Sequence, residues 1–125
     1  MSIKKFVLLV LLTHLLTYSL THCLYTEGFN LVVAKPKIIT PNDDNKNDML
    51  IVSYENPNDS NVSGTILTVS GYYVADMLLD ISASDNLKIT WNGKNYDDEV
   101  VSSGIYIYQI EVEGKIFNGT VVVAK

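Results

Sequence analysis

The sequence predicts an all-β fold, an Ig-like or fibronectin III-like β-sandwich of about seven antiparallel strands. Three observations carry this expectation. Beyond Leu24 the apolar runs are short and separated by clusters of Asn, Asp, Gly, Pro and Ser, the punctuation of strands rather than helices. The runs that alternate do so with a two-residue period, and no helical period follows Leu24. Residues 91–110 then show the pattern in full. Trp91 ends a strand, a polar loop follows, and Gly104 opens a second strand of alternating character.

The N-terminus stands apart from this pattern. Lys4 and Lys5 precede an apolar run at residues 6–12 that continues towards Leu20, which is the layout of a secretory signal peptide. The run contains His14 and falls short of the roughly 20 apolar residues needed to span a bilayer. Thr21 and Cys23 are small enough for the −3 and −1 positions of signal peptidase, so residues 1–23 are expected to leave and Leu24 to become the N-terminus. The alternative is lipidation of Cys23, although His22 is larger than the residue that usually precedes a lipidated cysteine.

Residues 24–36 read as a lead-in strand or linker, with an apolar run at 29–33, and Pro36 separates it from a second run at 37–40. Residues 37–125 form the expected sandwich domain. Residues 40–48, TPNDDNKND, are almost wholly turn formers. Residues 49–54 form a strand with Leu50, Val52 and Tyr54 on one face. A long turn region at 56–64 leads to a strand at 65–69, and Ser70-Gly71 turns tightly into a strand at 73–79. After a polar break at 82–86, residues 87–91 form a strand that ends on Trp91. Asn92-Gly93 is a strong turn dipeptide, because both residues tolerate positive φ. Residues 104–112 and 116–124 pair as a hairpin around Glu113-Gly114-Lys115. In the first of these, Tyr106, Tyr108, Ile110 and Val112 form the core face. Tyr106 is placed to close a tyrosine corner, its hydroxyl bonding upstream backbone; the alternative leaves both tyrosine hydroxyls wet.

Charge and composition narrow the function. Cleavage removes Lys4 and Lys5 but none of the 14 acidic residues, leaving 102 residues with a formal charge of −7 and no arginine. Such a surface argues against nucleic acid, whose affinity comes largely from cations neutralising phosphates. Both histidines and the lone cysteine lie in residues 1–23, so the mature domain lacks imidazole and thiol. That excludes Ser–His and Cys–His catalysis and the usual zinc ligands, and the expectation is a non-enzyme.

Four groups are weighed as sites. Asn42, Asp43, Asp44, Asn45, Asn47 and Asp48 gather oxygen donors of the kind that calcium takes, and they are the candidate metal ligands. The central glycine and distal glutamate of an EF-hand are missing, which favours Asx side chains bonding their own backbone. Asp97, Asp98 and Glu99 read as a solvated loop rather than as the paired acids of a glycosidase. Trp91, in phase with Leu87 and Ile89, reads as core rather than as a platform for sugar. Tyr72 and Tyr73 are adjacent, so one is expected to face the core and the other to face a partner. Trp91, Gly93, Gly104 and Tyr106 are the expected structural residues, with Gly104 holding positive φ.

Three segments together resemble a known family. The 40–48 loop is similar to the TPNGDGxND loop that opens the FlgD-type Ig-like domain and the gliding-motility C-terminal domains of bacteria. Ser70-Gly71 followed by Val74 resembles the family's middle turn. Trp91-Asn92-Gly93-Lys94-Asn95, with Gly104-Ile105-Tyr106 at the family spacing, resembles its WDGxD…SGxYxY ending. Departures are Asp43 and Asn45 in place of two loop glycines, Thr68 for an aspartate, Tyr72 for a basic residue and Asp98 for a glycine. The resemblance implies an exported accessory domain, periplasmic, cell-surface or secreted, that works through protein partners at the cell envelope. It meets a membrane only if Cys23 is lipidated. A signal peptide and the lack of a passenger point to a free-standing module rather than a hook cap. The alternatives are a type IX sorting domain parted from its passenger, and a carbohydrate-binding module built on Trp91 and residues 97–99.

Overall fold

A computed structural model describes residues 28–80 and 87–125. The expected signal peptide, Cys23 and the polar break at 82–86 lie outside the described residues. The domain is an all-β sandwich. One sheet has four strands in the order β1(Asn30–Lys35), β3(Leu50–Glu55), β7(Leu87–Trp91), β6(Leu78–Asp80). The other has five, in the order β2(Ile38–Ile39), β9(Lys115–Val123), β8(Gly104–Val112), β4(Val62–Thr68), β5(Tyr73–Asp76). This is the Ig-like arrangement, in which hairpin neighbours and cross-sheet returns enclose one core. The lead-in is an integral edge: β1 pairs antiparallel with β3, and the chain passes a cis Lys35–Pro36 peptide before β2 pairs parallel with β9.

The alternation read from sequence appears in the burial of each central strand. Leu50, Val52 and Tyr54 of β3, with Ile89 and Trp91 of its neighbour β7 beside them, face Tyr106, Tyr108, Ile110 and Val112 of β8 across the core. Among the described residues every buried side chain of the core is apolar or aromatic, and no buried side-chain polar atom lacks a partner. The Trp91 and Tyr106 rings meet at 5.4 Å between the sheets. Phe29, Tyr54 and Phe117 close the opposite end, with centroids 5.1 and 5.3 Å apart.

Among the described residues nine strands stand where about seven were expected, and two elements differ from the sequence reading. The run at 73–79 is not one strand. It is β5 in the five-stranded sheet, then Met77, then β6 in the four-stranded sheet, so the chain changes sheets within it. The crossing is possible because Gly64 of β4 has no side chain. Met77 N donates to the Gly64 carbonyl at 2.8 Å, and a Cβ on Gly64 would lie 2.9 Å from Met77 Sδ. The second correction follows: β4 begins at Val62, inside what reads as a turn region, because Gly64 is a packing glycine rather than a turn former.

The β8–β9 turn is also shorter than expected. Lys115 belongs to β9 and pairs with Val112, leaving Glu113 (φ 53°) and Gly114 (φ 71°) as a two-residue turn. Both turn residues at positive φ match the right-handed twist of the strands. Glu113 also ties the hairpin to its neighbours. Its carboxylate accepts from Ser60 Oγ at 2.8 Å, Asn58 Nδ2 at 3.3 Å and Phe29 N at 3.5 Å. The first two bonds in particular hold its pKa below the ordinary glutamate value.

Candidate functional site

The residues that carry the family resemblance meet at one end of the sandwich. Gly93 holds φ +78°, and a Cβ there would lie 2.9 Å from Pro41 Cγ, so the Asn92-Gly93 turn packs directly on the 40–48 loop. Trp91 is 2 % exposed, and its indole nitrogen donates to the Lys94 carbonyl at 2.8 Å. No face of the ring is left for a sugar. Tyr106 is buried and its hydroxyl donates to the Ser102 carbonyl at 2.8 Å, which closes the tyrosine corner. Burial pushes its pKa up. Gly104 holds positive φ, +157°.

The 40–48 loop is shaped by its own polar groups. Asp48 Oδ1 accepts from Asn42 N at 3.2 Å, and its Oδ2 accepts from Asn45 N at 2.7 Å. Asp44 Oδ1 accepts from Lys46 N and Asn42 Oδ1 from Asp44 N, while Asp43, Asn45 and Asn47 take positive φ. The Asn42 and Asp44 bonds are successive Asx turns, and Asp48 reaches back to close the loop over them. Among the described residues no group of three or more His, Cys, Asp or Glu stands together so as to hold a metal ion.

The loop after Trp91 is organised in the same way. Asn95 Oδ1 accepts from Asp97 N at 2.9 Å and Glu99 N at 3.1 Å, and Lys94 Nζ lies 3.7 Å from Asp98 Oδ1. Asp97, Asp98 and Glu99 are all exposed. Tyr96 of this loop donates its backbone N–H to the Val74 carbonyl, so the loop caps part of the β5 edge.

Tyr72 and Tyr73 depart from the expectation that one faces the core. Both are exposed, at 73 % and 49 %, and Val74 and Ala75 fill the core positions instead. The cause is an irregularity in the β4–β5 ladder. Ile66 pairs with Ala75 but Leu67 pairs with Tyr73, so Val74 is an extra residue and the alternation slips. Tyr73 stacks on Tyr96 at 6.0 Å and 21°. Partial desolvation and the neighbouring Asp76 carboxylate raise the Tyr73 pKa. A cleft of about 420 Å³ lies beside this stack, with Asp76, Leu78, Lys94 and Asp98 among its lining.

The outer face of the five-stranded sheet is the feature that single strands read from sequence do not display. The registers align it in rows. Ile38, Val122 and Ile105 form the first across β2, β9 and β8. Thr120, Ile107 and Leu67 form the second across β9, β8 and β4. Asn118, Gln109 and Thr65 form the third, and Ile116, Glu111 and Ser63 the fourth. Ile105, Ile38 and Ile116 are more than half exposed. On β5 the second row continues to Tyr73 and the third to Asp76, so the two carboxylates of this face, Asp76 and Glu111, stand at its β5 border and in its last row. In the middle is a shallow groove of about 440 Å³ lined by Leu67, Ile107, Gln109, Asn118, Gly119 and Thr120. Gly119 lies in its floor, and the space left by its missing side chain is on the core side, where the Tyr108 ring fills it. A Cβ there would lie 2.6 Å from Tyr108 Cε1.

The other sheet presents a contrasting outer face. Asp80 pairs with Lys88, Lys35 stands beside Ile51, and Glu55 stands beside Asn30. Charge of both signs covers it, as solvated faces usually show. In a chain with 14 acidic residues, a nearly uncharged face built on isoleucines has the composition of an interface centre. No family model matches the chain, and no curated protein matches it.

Proposed function

We propose that this chain is a non-enzymatic, exported Ig-like module for protein–protein contact at the cell envelope, of the FlgD-type kind. The observation that carries the reading is the isoleucine-rich outer face of the five-stranded sheet, uncharged at its centre and carrying Glu111 and Asp76 only at its margins. The exposed Ile38, Ile105 and Ile116 cost solvation free energy that a monomer recovers only by covering them, at about 25 cal/mol per Å² of apolar area. The packing of Gly93 on Pro41 and the closed tyrosine corner at Tyr106 support the resemblance, since they give the shared motif residues a joint structural purpose. Export rests on the charge and apolar pattern of residues 1–23.

The test compares two charged substitutions in the native host. Ile105→Glu breaks the first row of the uncharged face, and Ser53→Glu adds the same charge to the opposite sheet. The size of the complex carrying the protein is measured in gently solubilised extracts. The reading expects Ile105→Glu to shift the protein to a smaller species and Ser53→Glu to leave it in place. Equal behaviour of the two variants would overturn it.

A further inference from the structure

The face has a property beyond being apolar: its polar groups suit a copy of itself. Gln109 and Asn118 are direct cross-strand neighbours, and Thr65 and Thr120 flank them. Amides and hydroxyls both donate and accept, so each can bond its own kind. A carboxylate or ammonium cannot. In an isologous contact the same patch meets itself about a twofold axis, so any charge near the centre meets its equal. A chain of formal charge −5, or −7 once residues 1–23 are gone, has few faces on which two copies can meet without carboxylates facing each other. The first three rows make such a face across β2, β9, β8 and β4, with Asp76 of β5 at its border.

Size agrees. Strands β8 and β9 have nine residues each, β4 seven, β5 four and β2 two, so at about 3.3 Å by 4.8 Å per residue the sheet projects about 500 Å², with Asp76 and Glu111 at its rim. Side-chain relief brings this towards the roughly 800 Å² per partner of a standard interface. The groove over Gly119 lies near the middle, and isoleucines protrude on both sides of it. A shallow recess flanked by knobs is the relief that two copies need to interdigitate. Tyr73 ends the second row and Asp76 the third, both on β5, so this carboxylate stands at the border of the face, two strands from Gln109.

We infer that this protein forms a twofold-symmetric dimer through the outer face of its five-stranded sheet, with Gln109, Asn118, Ile107 and Thr120 near the axis. The inference rests on the reading of that face as a contact surface and commits it to one partner, a second copy of the chain.

Sedimentation of the purified chain across the micromolar range tests this, with Gln109→Lys, Gln109→Glu and Ser53→Lys as variants and thermal melts to establish that each is folded. The expected result is a concentration-dependent dimer for the parent and for Ser53→Lys. Each Gln109 variant alone dissociates at least about tenfold more readily, since like charges then meet across the axis. Mixing the Lys and Glu variants restores the dimer, a rescue that a fold defect does not produce. A parent that stays monomeric throughout, or a dimer indifferent to both Gln109 substitutions, overturns the inference. Should the parent be monomeric while Ile105→Glu still shrinks the complex in host extracts, the face contacts a different protein and only the second copy is refuted. Should both fail, the contact reading falls with it.

Discussion

Gly64→Ala tests the crossing of the chain between sheets more sharply than any other single change. Gly64 lies in β4 on the core side, and its missing side chain is the space through which Met77 passes. A Cβ there would lie 2.6 Å from Ile89 Cδ1, 2.9 Å from Met77 Sδ and 3.0 Å from Met77 Cβ. The sulfur can swing aside. The Met77 Cβ cannot follow easily, because its own backbone N–H is bonded to the Gly64 carbonyl at 2.8 Å. Overpacking of this kind costs about 1–3 kcal/mol. Replacing glycine with alanine in a strand returns about 0.5–1 kcal/mol of chain entropy. The net loss is about 1–2 kcal/mol, and a domain of this size then melts roughly 5–15 °C lower. Thermal and urea unfolding by circular dichroism measure it. Ile89→Val removes the nearest atom and by itself costs about 0.5–1.5 kcal/mol. In the double variant the two losses are expected to sum to at least about 0.5 kcal/mol less than their total, since the residues share one space. A Gly64→Ala protein as stable as its parent, or strictly additive losses, would refute the account of the crossing.

Two further outcomes follow from the same geometry. Gly104→Val places a branched side chain at φ +157°, where no neighbour lies within 4 Å, so the expected loss of about 1–3 kcal/mol comes from the backbone alone; an unchanged melting curve contradicts it. Glu113 has a folded pKa below its ordinary value of 4.5, so its contribution is fully present above that value and is lost as pH falls through the folded pKa. The stability gap between the parent and Glu113→Gln is therefore expected to hold at neutral pH and to close in acid, and a gap of constant size from pH 7 to pH 3 would remove the carboxylate from the account.

Much of the sandwich was legible because its central strands are half-buried and alternate. Leu50, Val52 and Tyr54, and the Tyr106–Val112 face, announce their sides by a two-residue period that local sequence carries. The crossing at Met77 was not legible, because residues 73–79 read as one strand and the break depends on a glycine in another strand. The exposure of both Tyr72 and Tyr73 was hidden for a related reason. One extra residue at Val74 shifts every later side chain, and only pairing with β4 reveals it. The uncharged face had a partial signal in the hydroxyls and amides at the outward positions of residues 104–123. It becomes a surface only when the registers of four strands place those positions side by side.

Accessibility of that surface in the native assembly is the most direct measure of the central claim. Single cysteines at Ile105 on the uncharged face and at Glu55 on the opposite sheet are labelled with a maleimide in intact cells, and in denaturant, and the two peptides are quantified by mass spectrometry. A covered face predicts strong protection of the Ile105→Cys thiol in cells, full labelling in denaturant, and ready labelling of Glu55→Cys in both. Equal labelling of the two positions in cells would contradict it, because a surface open to reagent is not an interface.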